Sequence, residues 1–161
     1  MNLHKKILVC VAVVATFATS ALAELSRDDR QFIEDAAKAG MKEFNVSQQA
    51  LANLTVPEVR SAAQMMLSDH MRTNAELQAL ARQKGVVLPM PDAKVTRRWS
   101  ENTKDVEDEY LSEMNHDHKD VVDLYEKAAV SEDQDIAAFA QRTLPTLRHH
   151  LAMVRELKRV N

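Results

Sequence analysis

One cysteine, Cys10, and two glycines, Gly40 and Gly85, are all that a chain of 161 residues carries of those two types. Prolines number four and aromatics make up 4%. A lone cysteine leaves no intrachain disulfide and no thiolate set for a metal, so stability must come from an apolar core, alone or with a metal held by other ligands. So little glycine excludes a glycine-rich phosphate loop, and neither an H-E-x-x-H motif nor a nucleophile–base arrangement appears. Beyond the N-terminus no run is apolar for long enough to cross a bilayer, which argues against an integral membrane domain. Basic residues number 21 against 24 acidic ones and form no stripe, which argues against nucleic acid as a partner.

What is present begins with an export signal. Lys5 and Lys6 precede an apolar run from Ile7 to Ala18, and Ala21-Leu22-Ala23 gives the small-x-small pattern of signal-peptidase cleavage. Cleavage is expected after Ala23, with a periplasmic destination. Ile7-Leu8-Val9 lacks the small residue that precedes a lipidated cysteine, so Cys10 is expected to leave with the signal. Residues 24–161 then form a single domain, with 19 basic against 24 acidic residues once Lys5 and Lys6 are gone, a balance of −5. Both signs interleave along the chain, as on solvated helix faces.

Hydrophobic periodicity is helical nearly throughout. Four helices are expected at about 27–52, 56–84, 103–130 and 132–158. Ser26 with Asp29, Thr55-Val56-Pro57-Glu58 and Ser131-Glu132-Asp133-Gln134 read as capped starts, and Lys84-Gly85 as a left-handed stop. Pro145 should kink the fourth helix and free the carbonyl of Gln141. Short links make helices one and two, and three and four, antiparallel neighbours. The connector 85–101 holds Pro89, Pro91 and Arg97-Arg98-Trp99. At ~3.4 Å per extended residue it can just cross a helix of ~42 Å, so both a crossover bundle and a simple up-down bundle remain open. The fold class is all-α, a four-helix bundle made of two hairpins.

Turning each helix by ~100° per residue places one ionisable side chain at the centre of every apolar stripe. Glu43 aligns with Phe32, Ala36, Ala39 and Ala50, and His70 with Val59, Ala63, Met66, Leu77 and Ala81. His118 shares a stripe with Leu111, Met114, Val122 and Tyr125, and His150 one with Ile136, Phe139, Thr143, Val154 and Leu157. All four sit near mid-helix and can therefore share one depth. A buried carboxylate is costly unless paired or coordinated, and three imidazoles around it supply protons or lone pairs. The set reads as a His₃Glu site for a single transition-metal ion, Zn, Cu or Fe, or as a metal-free network that fixes packing. Asp69 and Asp117 each precede a core histidine and are candidates to orient it, and Met66 and Met114 lie four residues before one on the same face. His116 should face solvent, and His149 should lie at the edge of its stripe. A carboxylate-bridged di-iron site needs Glu-x-x-His on two helices, but Leu67 and Leu147 stand three before His70 and His150.

The ordered set Phe32, Ala36-Ala37, Gly40, Glu43, Met66, Asp69-His70, Leu88-Pro89, Tyr110-Leu111, Met114, Asp117-His118, Phe139-Ala140, Leu144-Pro145 and His150-Leu151 resembles the bacterial exported proteins grouped as domain of unknown function 4142. The resemblance spans about residues 27–158 and implies a ferritin-like four-helix bundle whose recurring Glu and His positions fall on Glu43, His70, His118 and His150. His149 departs from it, where acidic or other polar residues are common. The family's activity is not established, and a fold does not import a chemistry. Metal handling or stress protection is the functional expectation, with a non-catalytic interaction module of the envelope as the alternative. Whether the chain is an enzyme stays open.

Overall fold

The computed structural model describes residues 25–88, 99 and 103–160. The expected signal peptide falls outside the described residues. Four helices form: α1 (Arg27–Ala50), α2 (Pro57–Gln83), α3 (Thr103–Ala128) and α4 (Gln134–Val160). Each begins or ends within two residues of its expected bound. The Ser26 hydroxyl accepts the backbone N–H of Asp29 at 3.0 Å and so caps α1. Gly85 closes α2 at φ 67°, the left-handed conformation that favours glycine. α4 stays helical through Pro145, whose ring lies on its exposed face.

Two starts differ from expectation. Val56, not Thr55, is the N-cap of α2, and it has no side-chain cap of its own. The buried Glu107 of α3 does that work: one of its oxygens accepts Thr55 N–H at 2.6 Å, Val56 N–H at 2.8 Å and the Thr55 hydroxyl at 3.0 Å. A carboxylate at a helix N-terminus answers both the orphan N–H groups and the helix dipole. At α4 the cap is Asp133, which accepts from Asp135 and Ile136 N–H, while Ser131 donates across to Asp29.

The neighbours are α1–α2, α3–α4, α1–α3 and α2–α4, so the helices close a ring in the order α1, α2, α4, α3. Cross-links fix the directions. From α1 to α3, Phe32 meets Tyr125, Lys42 meets Asp117, and Ser47 meets Tyr110, an antiparallel pair. From α2 to α4, Asp69 meets His150 and Gln83 meets Asp135, again antiparallel. It follows that α2 and α3 run parallel across the diagonal. α2 therefore ends beside the start of α4, where Lys84 bridges Asp133 and Asp135, each at 2.7 Å. α3 starts at the opposite end, where Glu107 holds Thr55. The end of α2 and the start of α3 thus lie at opposite ends of a bundle ~40 Å long, as in the single-crossover topology of a ferritin-like fold. Leu88 at the start of the connector packs on one half of the core and Trp99 near its end on the other.

Those halves are separate. One gathers Phe32, Ile33, Leu77, Tyr125, Phe139 and Leu147 with their neighbours; the other gathers Val46, Val59, Met66, Tyr110, Leu111 and Val154. In α1, α2 and α3 the ionisable residue lies between the two sets, and in α4 His150 lies at the border, with Leu147 and Leu151 in the first set and Val154 in the second, so a polar layer divides the core. Close approach of α1 and α2 beside that layer depends on Gly40. A Cβ there would stand 2.1 Å from Asn74 Oδ1 and 3.2 Å from its Cγ. Asn74 is itself buried, with little room to retreat. We predict that Gly40→Ala lowers the melting temperature, although alanine is the better helix former by ~1 kcal/mol. The double variant Gly40→Ala/Asn74→Ala should recover part of that loss. A single variant as stable as wild type would show that the contact relaxes freely.

Candidate metal centre

Glu43, His70, His118 and His150 are each at most 3% exposed, and they meet at one level. The three imidazole rings form a near-equilateral triangle, with centroids 5.4, 5.5 and 5.2 Å apart. One candidate ligand nitrogen from each histidine lies within 4.8 Å of the other two. The Glu43 carboxylate reaches His70 Nε2 at 3.3 Å and His118 Nδ1 at 3.0 Å. Neither of its oxygens, nor His70 Nε2, completes a hydrogen bond. Three unsatisfied polar atoms in one buried spot are costly.

The hydrogen bonds around two of the rings fix where their protons sit. His118 Nδ1 is 3.0 Å from the Met114 carbonyl oxygen, which can only accept, so Nδ1 carries the proton and Nε2 a lone pair. His150 Nε2 is 3.0 Å from Asp69 Oδ2, so it donates and leaves the lone pair on Nδ1. These two lone pairs face each other at 3.2 Å. A proton or a metal ion can satisfy both; two neutral rings cannot. Nitrogens bound at ~2.0 Å to one tetrahedral ion stand ~3.3 Å apart, and ~4 Å apart on a linear one, so the spacing matches a tetrahedral edge.

The flanking residues divide differently from expectation. Asp69 does orient a core histidine, but across the bundle: its partner is His150, not the adjacent His70. Its other oxygen takes a bond from Arg72 at 2.7 Å. Asp117 serves no histidine; it pairs with Lys42 at 2.7 Å, and Glu113 lies 3.3 Å from the same ammonium. Met66 accepts a hydrogen bond from the Tyr110 hydroxyl at 3.4 Å, inside the apolar half that also holds Met114. Of Met114, the site uses the carbonyl. His116 is exposed beside Asp120, and His149 is exposed next to His150. Sequence periodicity could not find Glu107, Lys42 or the Asp69–His150 pair, because each depends on which helices become neighbours.

The family model described as "Domain of unknown function (DUF4142)" matches residues 14–157. The chain belongs to the DUF4142 family. No curated protein matches it. A solved structure, the crystal structure of a DUF305 fragment from Deinococcus radiodurans, is similar at TM-score 0.72 with 13% sequence identity, over 83% of this chain and 97% of that one. At such identity the likeness shows the fold alone, a helical domain shared by the two families.

Burial sets the charge of the DUF4142 centre. It pushes the Glu43 carboxyl up to about 8, with Asp117 adding to the rise and Lys42 opposing it. It pushes His70 and His118 down to about 3, helped by the neighbouring imidazoles. His150 is lowered by burial too, against the pull of Asp69. Near neutrality the metal-free layer therefore holds a protonated Glu43 and neutral histidines.

The consequence for stability has two limbs. Between about 6.5 and 8 the folded Glu43 holds a proton that the unfolded chain does not, so stability falls as pH rises. From 6.5 down to 4.5 the unfolded histidines take up protons that the folded ones refuse; they outnumber the single opposing carboxyl, so stability falls as pH drops. We predict a melting temperature, measured in chelator, that peaks near pH 6.5 and declines on both sides, with the alkaline decline weakened in Glu43→Gln. A steady rise from pH 5 to 8 would contradict this protonation pattern.

Proposed function

We propose that this protein is an exported metal-binding protein that holds one transition-metal ion between its four helices, for metal handling or stress protection. The observation that carries the reading is the pair of lone pairs on His118 Nε2 and His150 Nδ1, facing each other at 3.2 Å with their outer nitrogens already committed. His70 supplies the third imidazole within reach. Three neutral nitrogens suit Zn, Cu or Fe, and no thiolate is present to favour a softer site.

Glu43 supplies the negative charge. It stands at His118 Nδ1, the nitrogen turned away from His150, and at His70 Nε2. In this arrangement it sits behind the rings and offsets buried positive charge, as carboxylates behind metal-bound histidines do, while the Met114 carbonyl holds His118 in the required tautomer. Ion binding would also favour its ionised form, so uptake near neutrality releases a proton. Export rests on the N-terminal run of residues 5–23, and no helix among the described residues is long and apolar enough to cross a membrane.

The test is metal content of the mature protein by elemental mass spectrometry after loading with Zn, Cu or Fe salts. Wild type and His116→Ala should each hold about one equivalent. His70→Ala, His118→Ala and His150→Ala should hold none. Glu43→Gln should keep the stoichiometry and lose affinity by ~10–100-fold, the usual effect of removing a partner behind a ligand. Complete loss in Glu43→Gln would make Glu43 a ligand in its own right. Absence of metal from wild type would turn the layer into a packing network and the search towards envelope partners.

A further inference from the structure

Two of the four seams around the polar layer, α1–α3 and α2–α4, are built differently. On the α1–α3 edge Lys42 lies between Glu113 and Asp117, beside Glu43 in sequence. Both carboxylates there are already engaged by that ammonium. On the α2–α4 edge stands Asp69, paired with Arg72 of its own helix. Its side chain is 19% exposed, while that of the His150 it touches is 1% exposed. One carboxylate oxygen faces inward to His150 Nε2 at 3.0 Å, and the other faces outward to Arg72, whose side chain is 62% exposed. Asp69 thus touches both a candidate ligand and a solvent-facing group.

We infer that metal ions enter and leave through the α2–α4 seam, with Asp69 as the first group to take the ion and Arg72 as the counter-ion that holds the carboxylate in place until one arrives. This rests on the metal-binding reading of the three histidines and adds a route to it. A cation approaching Asp69 competes with Arg72 for the same carboxylate. Displacing the guanidinium costs little, because an ion pair this exposed contributes little. Once there, the ion is one imidazole away from the facing nitrogens of His150 and His118. Asp69 is a positioning residue on the same argument, since its bond to Nε2 turns the Nδ1 lone pair of His150 inward.

The two roles separate by substitution. Asp69→Asn keeps an oxygen that can accept from His150 Nε2 and removes the charge. Asp69→Ala removes both. Glu113→Gln makes the same charge change on the opposite edge. The probe is Zn²⁺ alone, with uptake followed by stopped-flow against a chromophoric chelator and equilibrium stoichiometry measured in parallel. Asp69→Asn should take up Zn²⁺ at least ~10-fold more slowly, as electrostatically steered entry requires, at unchanged stoichiometry. Asp69→Ala should be slow to load and also quick to release. Arg72→Ala should load faster than wild type, and Glu113→Gln should match wild type.

If Asp69→Asn loads at the wild-type rate while Asp69→Ala only releases faster, Asp69 positions His150 and is no port, and the inference fails. Equal slowing in Asp69→Asn and Glu113→Gln would also overturn it, since overall charge would then govern entry. A wild-type protein that takes up no Zn²⁺ at equilibrium would instead remove the metal-binding reading itself.

Discussion

Four ionisable side chains at one level in the core, shut off from solvent, are the constraint around which this bundle is built. Burying a carboxylate and three imidazoles together is unfavourable unless every proton and lone pair is placed. The helices respond in detail: α3 offers the Met114 carbonyl to one ring, and α2 offers Asp69 to another. The first contact lies within α3, four residues apart, and the antiparallel α2–α4 pairing brings the second partner to its ring. The apolar core is left as two separate halves above and below the layer. The polar layer therefore sets register in a way that either half alone would not, because sliding one helix by a turn would strand a buried polar group.

The layer does not by itself decide the topology. Bringing one group from each helix to a single depth places no demand on chain direction, because all four sit near mid-helix. Direction is settled at the ends instead. Glu107 clamps the start of α2 from α3, and Lys84 ties the end of α2 to the start of α4. With both ends fixed, Leu88 packs on one half of the core and Trp99 on the other. Gly40 completes the arrangement by letting Asn74 lie against the α1 backbone next to the layer.

Much of this was legible in the sequence. A period of 3.6 residues fixed the faces of Glu43, His70, His118 and His150, and each is buried; helix bounds followed from Ser26, Pro57 and Gly85. What periodicity cannot carry is the identity of neighbours. Asp69 and Asp117 look alike in sequence, each one residue before a core histidine, yet one bonds His150 and the other bonds Lys42. Met66 and Met114 share a face with histidines but lie a turn away in depth, inside an apolar half. Thr55 looks like a cap, and a carboxylate 52 residues away takes the role. The crossover was likewise beyond reach, because connector length permits two topologies and only cross-links between helices choose one.

The claim on which the account turns is that His118 and His150 present facing lone pairs because their outer nitrogens are already engaged. Histidine side-chain ¹⁵N NMR on metal-free protein near pH 6.5 reads this directly. His118 should be neutral with its proton on Nδ1, His150 neutral with its proton on Nε2, and addition of one equivalent of Zn²⁺ should shift His118 Nε2 and His150 Nδ1 while both protons stay in place. A His118 protonated at Nε2, or a His118–His150 pair sharing a stable imidazolium that metal does not displace, would contradict the account and leave the layer a proton-bonded packing device.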